Sequence, residues 1–425
     1  MERRRLFYIL KKPPFFHTSR FLFNPSIASS TSILCTRSRK RGMADLHSRS
    51  VSEPLEDESI PTYRSEKFYP VRIGEVFNHR SQVVGKLGHG SSATVWLCRD
   101  LLDHRYVTLK VSTASTAMTR EIEIYDHLRT IQSNHAGQLC LRPLIEIFPA
   151  QSPDKQSVHT CLVHPPLGIS LDQLTRLLPD KVMTSAMVRT TIRNVLAALN
   201  FLHMDARIIH TDLQPNNILL GIKDDSILSK FEEAEFEAPV PRKILEDRTI
   251  YLSRPLPISY GAPVLCDLGE ARLGTDQQQG DIMPDIYRAP EVILDMGWDY
   301  KVDIWNVGMI WDLFEHHHLF KARNPEGKLD DGYHLAEMQA VLGGAPPELL
   351  TRSERGLQFW DENGTWKGVP PIPDYTLEVL EERLQGDEKS DFLRFLRRML
   401  CWLPEERATA KELLFDPWLM HGLFK

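Results

Sequence analysis

His210, Asp212 and Asn217 stand close together in the segment IIHTDLQPNNILL, from Ile208 to Leu220. An aspartate with an asparagine five residues on suits phosphoryl transfer. The carboxylate accepts or orients the proton of an attacking hydroxyl, and the amide oxygen holds a metal ion on the phosphates. Asp267, in VLCDLGEARLG, offers a hard oxygen ligand to a second metal on the same phosphates. At separate sites each of these residues more often serves a turn or a helix cap. The case rests on their occurring together, downstream of a strand lysine. Gln214 stands between the acid and the amide, so the loop carries a neutral group there.

Positioning such residues requires a phosphate cradle and a rigid frame. The run Gly88-His89-Gly90-Ser91-Ser92-Ala93-Thr94-Val95 supplies two glycines beside which backbone N–H groups can approach a phosphate. A lone G-x-G is weak evidence. Here it lies between the strand-like runs SQVVGKLG and ATVWLCRD, with Lys110 in a third, RYVTLKVS. Alone, Lys110 reads as a solvated strand lysine; beside the glycine loop it reads as a phosphate ligand. A glutamate must then hold that lysine, and Glu121, with Glu123 as the alternative, is placed on a short helix in REIEIYDHLRTI. In MVRTTIRNVLAALNFLHM, Val188, Ile192, Val195, Leu196, Leu199 and Leu202 recur at steps of three and four, predicting an amphipathic helix. From Glu291 helices dominate. The pattern predicts an α+β chain: a small antiparallel β lobe with one helix (81–166), then a larger, mostly helical lobe (167–422).

The stretch 44–80 is polar, with Pro54, Pro61 and Pro70, and reads as a linker. The stretch 221–262 is polar, acidic and spotted with proline, and reads as a surface insertion. Residues 1–43 hold ten Lys/Arg and one acid, about +9, which leaves −15 for the rest of a chain of net charge −6. An acidic body steers basic substrates at long range, although a solubilising surface has the same composition. The basic, Ser-rich first segment fits a transit peptide, a disordered arm, or a start at Met43. Six scattered cysteines without a C-x-x-C pair fit free thiols in a reducing compartment. No apolar run approaches the roughly 20 residues that span a bilayer.

Ala289-Pro290-Glu291 closes the segment opened by Asp267; Asp303-Ile304-Trp305-Asn306-Val307-Gly308 and Arg407 follow. With the glycine loop, Lys110 and the catalytic loop, these motifs resemble the eukaryotic protein kinase family over roughly residues 81–422. The resemblance implies a bilobal fold and an enzyme that transfers a phosphoryl group from ATP, with Mg²⁺, to Ser or Thr of a protein. It implies an ATP site of Leu87, Gly88, His89, Gly90, Ser91, Ser92, Ala93, Val95, Thr108, Lys110, Glu121 and Leu219. Asp212, Lys110, Asn217 and Gln214 would be catalytic, and Asn217 and Asp267 the metal ligands. It also implies that Glu291 pairs with Arg407 and that Asp303 caps the catalytic loop from below. HTD, DLG and the long insertion are similar to the serine/arginine-rich protein-specific kinases, above all their fungal branch. That likeness implies a monomer acting on basic, Arg/Ser-rich proteins in mRNA processing, without direct nucleic-acid or membrane contact. The compartment would be cytoplasm and nucleus, with the mitochondrion as the alternative that residues 1–43 raise. The acids Glu232, Glu233, Glu235 and Glu237 of the insertion would help attract such substrates, or belong to a solvated loop.

Three residues depart from the family pattern. Gln214 replaces a lysine that contacts the transferring phosphoryl group, and losing one such contact costs on the order of 10²–10³ in rate. Pro284 lies where a threonine usually touches that lysine. Thr108 replaces an alanine that packs on adenine, so its hydroxyl needs a partner. These departures raise a second reading, a nucleotide-binding scaffold of weak turnover. A third, a small-molecule phosphotransferase, is disfavoured by the A-P-E and D-x-W-x-x-G segments. Thr211 removes the arginine that would grip a loop phosphate, and Thr275 is the only Ser/Thr between Asp267 and Glu291, so no activating phosphorylation is expected.

Overall fold

A computed structural model describes residues 54–61, 63–114 and 118–423; the basic segment 1–43 lies outside them. The small lobe is an antiparallel sheet of β1 (Val76–Phe77), β2 (Ser81–His89), β3 (Ala93–Asp100), β4 (Arg105–Ser112), β5 (Glu146–Gln151) and β6 (Val158–His164), in the order β1-β2-β3-β4-β6-β5. Alternation along β3 sends Trp96 and Cys98 to one face and Leu97 to the other, and each face packs into a separate apolar cluster. The sheet is thus covered on both sides, and apolar side chains of one strand are buried on either face. Helix α1 (Met118–Thr130) lies on the Leu97 face, burying Glu121, Ile124 and Tyr125 at three- and four-residue spacing.

The opposite face is covered from an unexpected direction. Residues 54–61 and 63–79, read from sequence as part of a linker, instead form a strap that buries Leu55, Phe68, Val71 and Phe77, the last two in the outer cluster of the sheet. The prolines at 54, 61 and 70 do not make it free chain.

The large lobe begins with α2 (Leu171–Leu177), whose Ser170 cap accepts from Gln173 N, and α3 (Ser185–Phe201), capped by Thr184. The apolar stripe expected from periodicity is the buried face of α3, and Leu202 continues it in a wider turn. Next come β7 (Ile208–Ile209), β8 (Ile218–Leu220), the insertion with α4 (Ser226–Glu237), β9 (Arg242–Ile244) and β10 (Thr249–Tyr251), then β11 (Pro263–Leu265) and β12 (Arg272–Leu273). β8 pairs with β11 and β7 with β12, so two short ribbons hold the 210–217 loop beside Asp267. Beyond them α5 (Pro290–Ile293), α6 (Lys301–Val307) and α7 (Ile310–Phe314) lead into the helical base.

The insertion is not merely a surface loop. Its ends meet: Gly221 N donates to Ala262 O and Gly261 N to Gly221 O, both at 2.9 Å. A Cβ on Gly261 would sit 2.2 Å from Gly221 O, so the approach needs glycine. From this closed neck α4 reaches the small lobe. Phe231 packs on Gly85, where a Cβ would lie 2.8 Å from its ring, and Glu232 binds Arg99 and the Tyr106 hydroxyl. Tyr251 meets Trp96 edge to face, with ring centroids 5.8 Å apart. Two of the four acids expected to attract substrates are thereby occupied: Glu232 as above, and buried Glu235 by Arg242, Arg254 and Val240 N. Glu233 and Glu237 are exposed.

Strap, insertion and glycine-loop strand converge on Lys86. Its Nζ, wholly buried, donates to Glu56 Oε2 at 3.0 Å, Asp57 Oδ1 at 2.8 Å and Tyr251 O at 3.0 Å. Glu56 also accepts from Ser253 N (2.7 Å) and Oγ (2.9 Å) and lies 3.2 Å from His89 Nδ1. Burial alone would raise the Glu56 carboxyl, but His89, Lys86 and Ser253 outweigh it and bring it from 4.5 down to about 2. A depressed carboxylate stabilises the fold above its unfolded value and loses that contribution as pH falls through the folded one. Glu56→Gln should therefore cost on the order of 2 kcal/mol near neutrality. In urea titrations, the gap from native protein should close as pH falls from 4.5 toward 2; a gap independent of pH would contradict this account.

Candidate active site

Between the lobes lies a cleft of about 470 Å³. Its roof is the β2–β3 turn, tightened by Gly90 N donating to Ala93 O at 2.8 Å. Leu87, Gly88, His89, Gly90, Ser92, Ala93 and Val95 line it, while Ser91 is exposed at the turn and does not. A Cβ on Gly88 would meet nothing within 4 Å, so the space beside it is open. Thr108, Lys110 and Glu121 form the upper wall, and Leu219, Asn217 and Asp267 the floor.

Lys110 Nζ donates to Glu121 at 2.9 and 3.1 Å and to Asp267 Oδ1 at 3.1 Å. Glu123, the alternative partner, is exposed. Burial opposes the Lys110 charge, yet Asp267 and Glu121 outweigh it and hold the ammonium well above the ordinary lysine range. Lys110 in turn holds Asp267 below the usual carboxylate value, against its burial. The lysine–glutamate pair joins β4 to α1, and the contact with Asp267 carries the link across the cleft.

Under the cleft, Asp212 Oδ1 accepts from Gln214 Nε2 at 2.8 Å and Oδ2 from Asn217 Nδ2 at 2.7 Å. The loop is anchored from below by Asp303. That carboxylate is fully buried and accepts from His210 N and Thr211 N, each at 2.8 Å, with His203 Nε2 at 2.8 Å from the same group. Thr211 has φ 65°, a left-handed conformation that a β-branched residue rarely adopts. Its hydroxyl donates to Glu270 O at 2.7 Å, so both ends of the residue are tied. Glu291 and Arg407 form a two-point pair at 2.5 and 2.6 Å with both side chains buried.

A family profile described as "Protein kinase domain" matches residues 81–243 and 254–419. The chain belongs to the protein kinase family. A serine/threonine protein kinase of Aspergillus fumigatus is 44% identical over 372 residues, covering 86% of this chain and 91% of that one. A serine/threonine-protein kinase SRPK of Physarum polycephalum is 29% identical over 394 residues, covering 86% and 91%. A solved kinase domain matches at TM-score 0.64 and 23% identity over 83% of this chain and 99% of its own, a likeness of fold.

The gap in the profile match, 244–253, falls in the β9–β10 hairpin of the insertion, which binds the strap. Several cleft residues of the kinase escaped the sequence reading, two of them polar and unexpected there. Arg142 and His164 stand on the inner wall, Arg142 donating to Pro165 O at 3.3 Å and His164 Nδ1 bonding Pro143 O at 2.9 Å. Because a carbonyl only accepts, Nδ1 carries the proton; burial and the Arg142 charge push the His164 pKa well below its usual value, so the ring is neutral. The one signal for it was a histidine closing the otherwise apolar run CLVH before two prolines. Thr108 is buried on the paired strand, and its hydroxyl has no hydrogen-bond partner, the unsatisfied outcome that the substitution for alanine risks. Thr275 is buried as well.

Breaking a buried ion pair strands a charge. Glu291→Gln should therefore lower stability by about 3 kcal/mol or more, read from equilibrium denaturation. The intrinsic fluorescence of Trp305, whose ring lies 5.0 Å from the Arg407 guanidinium carbon, should change with it. Native-like stability in that variant would show that Arg407 finds another partner.

Proposed function

We propose that this kinase transfers the γ-phosphoryl group of ATP to serine or threonine in basic, Arg/Ser-rich proteins. The observation that carries the phosphotransfer reading is the closed contact of Lys110 with both Glu121 and Asp267, on the cleft that Asn217 also lines. Lys110 would meet the nucleotide phosphates beneath the glycine loop. Asp212 would take or orient the hydroxyl proton of the substrate.

The donor set fits Mg²⁺. Asn217 commits its Nδ2 to Asp212, which leaves its amide oxygen to accept. Asp267 meets Lys110 through Oδ1, which leaves Oδ2, and hard oxygen donors suit this ion. Bound there, Mg²⁺ would neutralise charge on the phosphates.

The substrate class is supported by the HTD and DLG motifs, by the likeness to a relative named SRPK, and by a body of charge −15 outside residues 1–43. The tied hydroxyl of Thr211 and the buried Thr275 support a kinase that works without loop phosphorylation. No helix among the described residues is long and apolar enough to cross a membrane, and we read the kinase as a monomer of cytoplasm and nucleus.

Purified kinase, shown by mass spectrometry to be unphosphorylated, should label Ser peptides flanked by arginine from Mg·ATP. Asp212→Ala should lower kcat by about 10³-fold or more, with nucleotide binding retained in a thermal-shift assay. Retained turnover in Asp212→Ala would refute the assigned chemistry, and equal rates on arginine-flanked and arginine-free peptides would refute the substrate class.

A further inference from the structure

Gly88 and Gly90 leave the backbone of the glycine loop free to sample many conformations. A loop that must order itself around a phosphate binds it more weakly than one already ordered. Here both limbs of the loop are tied to the strap. On the first, His89 Nδ1 lies 3.2 Å from Glu56 Oε2. An ionised carboxylate only accepts, so Nδ1 carries the hydrogen. On the second, Ser92 O accepts from Thr113 N at 2.8 Å, and the next residue, Ala114, donates through its N to Lys67 O of the strap at 2.8 Å. The strap is itself held by the insertion, through Lys243 Nζ to Glu58 Oε2 at 2.9 Å and Arg248 to Phe68 O at 3.2 Å.

Glu56 is the point where these ties cross. Its φ is 39°, a conformation in which a residue bearing a Cβ is strained. Strain of this kind persists where surrounding contacts enforce it, and Lys86, Ser253 and His89 all bind the Glu56 carboxylate. The ligand atoms of Glu56, Asp57 and His89 lie within 4.8 Å of one another, a spacing that suits a cation, but Lys86 already fills that role at 3.0 and 2.8 Å from the two acids. The cluster therefore joins chain segments rather than holding an ion. Of the three, His89 also lines the cleft, beside Gly88 and Gly90. We propose that Glu56 is a positioning residue for nucleotide binding: by holding His89 it fixes the first limb of the glycine loop over the phosphates, so that the strap sets ATP affinity in cis. The proposal rests on the reading of the cleft as an ATP site.

The test reads Mg·ATP affinity by isothermal titration calorimetry on the full chain, without peptide. Glu56→Gln should raise Kd about three- to ten-fold. KM for ATP should rise with it, while kcat at saturating ATP stays within about two-fold. His89→Phe, which cannot donate, should raise Kd similarly, and the double variant should bind no more weakly than either single one. A merely structural Glu56 would lower the denaturation midpoint and leave the Kd of the folded protein unmoved. His89→Asn places a donor near the Nδ1 position and should recover much of the affinity lost in His89→Phe. Unchanged Kd in Glu56→Gln, or additive losses in the double variant, overturns the proposal. If Glu56→Gln does not fold, equal affinities of His89→Asn and His89→Phe overturn it. A native kinase that binds Mg·ATP but labels no peptide loses the assigned function, while the Kd values still decide on Glu56. One that binds no Mg·ATP refutes both.

Discussion

The catalytic loop hangs from one buried carboxylate. Asp303 satisfies two consecutive backbone N–H groups, those of His210 and Thr211, that would otherwise lie in the interior without partners. Burial by itself would make its charge costly. Its pKa is nevertheless held below the usual carboxylate value, because His203, His210 and the loop N–H groups surround it. The left-handed turn at Thr211 is sustained by these contacts, and Asp212 takes its direction from that turn. A conformation that costs energy persists only where its surroundings over-determine it, and here they do so from below through Asp303 and from the side through Glu270.

Above the loop the problem reverses, since charge must stay available. Lys110 sits between two acids that compete for it, and the competition spans the cleft. Burial strengthens these contacts by lowering the local dielectric. The same burial leaves Thr108 with an orphan hydroxyl and His164 neutral. The inner wall is thus more polar than a cleft for a purine ring needs to be.

Much of this was readable in the sequence where covalent proximity sets the geometry. Asp212, Gln214 and Asn217 lie within six residues, so their mutual reach follows from local conformation. The stripe of α3 follows from helical periodicity. Lys110 and Glu121 are separated by one strand end and one helix start. What the sequence hid depends on distant segments. Lys86 alternates along β2 like any surface lysine, yet its partners lie 29 and 30 residues before it and 165 after it. Proline and acid content made residues 54–79 and the insertion read as solvated chain. The apolar residues that carry the packing, Phe68, Val71, Leu228, Phe231 and Tyr251 among them, are outnumbered there by polar and charged neighbours.

The closed neck at Gly221 and Gly261 has a mechanical consequence. The insertion leaves the large lobe at one point and grips the small lobe at another, through Phe231, Glu232 and Tyr251. The chain segment after β6 already joins the lobes elsewhere. Two attachments define an axis, as two pins define the swing of a door. Opening the cleft must part Lys110 from Asp267, and twisting one lobe against the other must first peel α4 from the sheet.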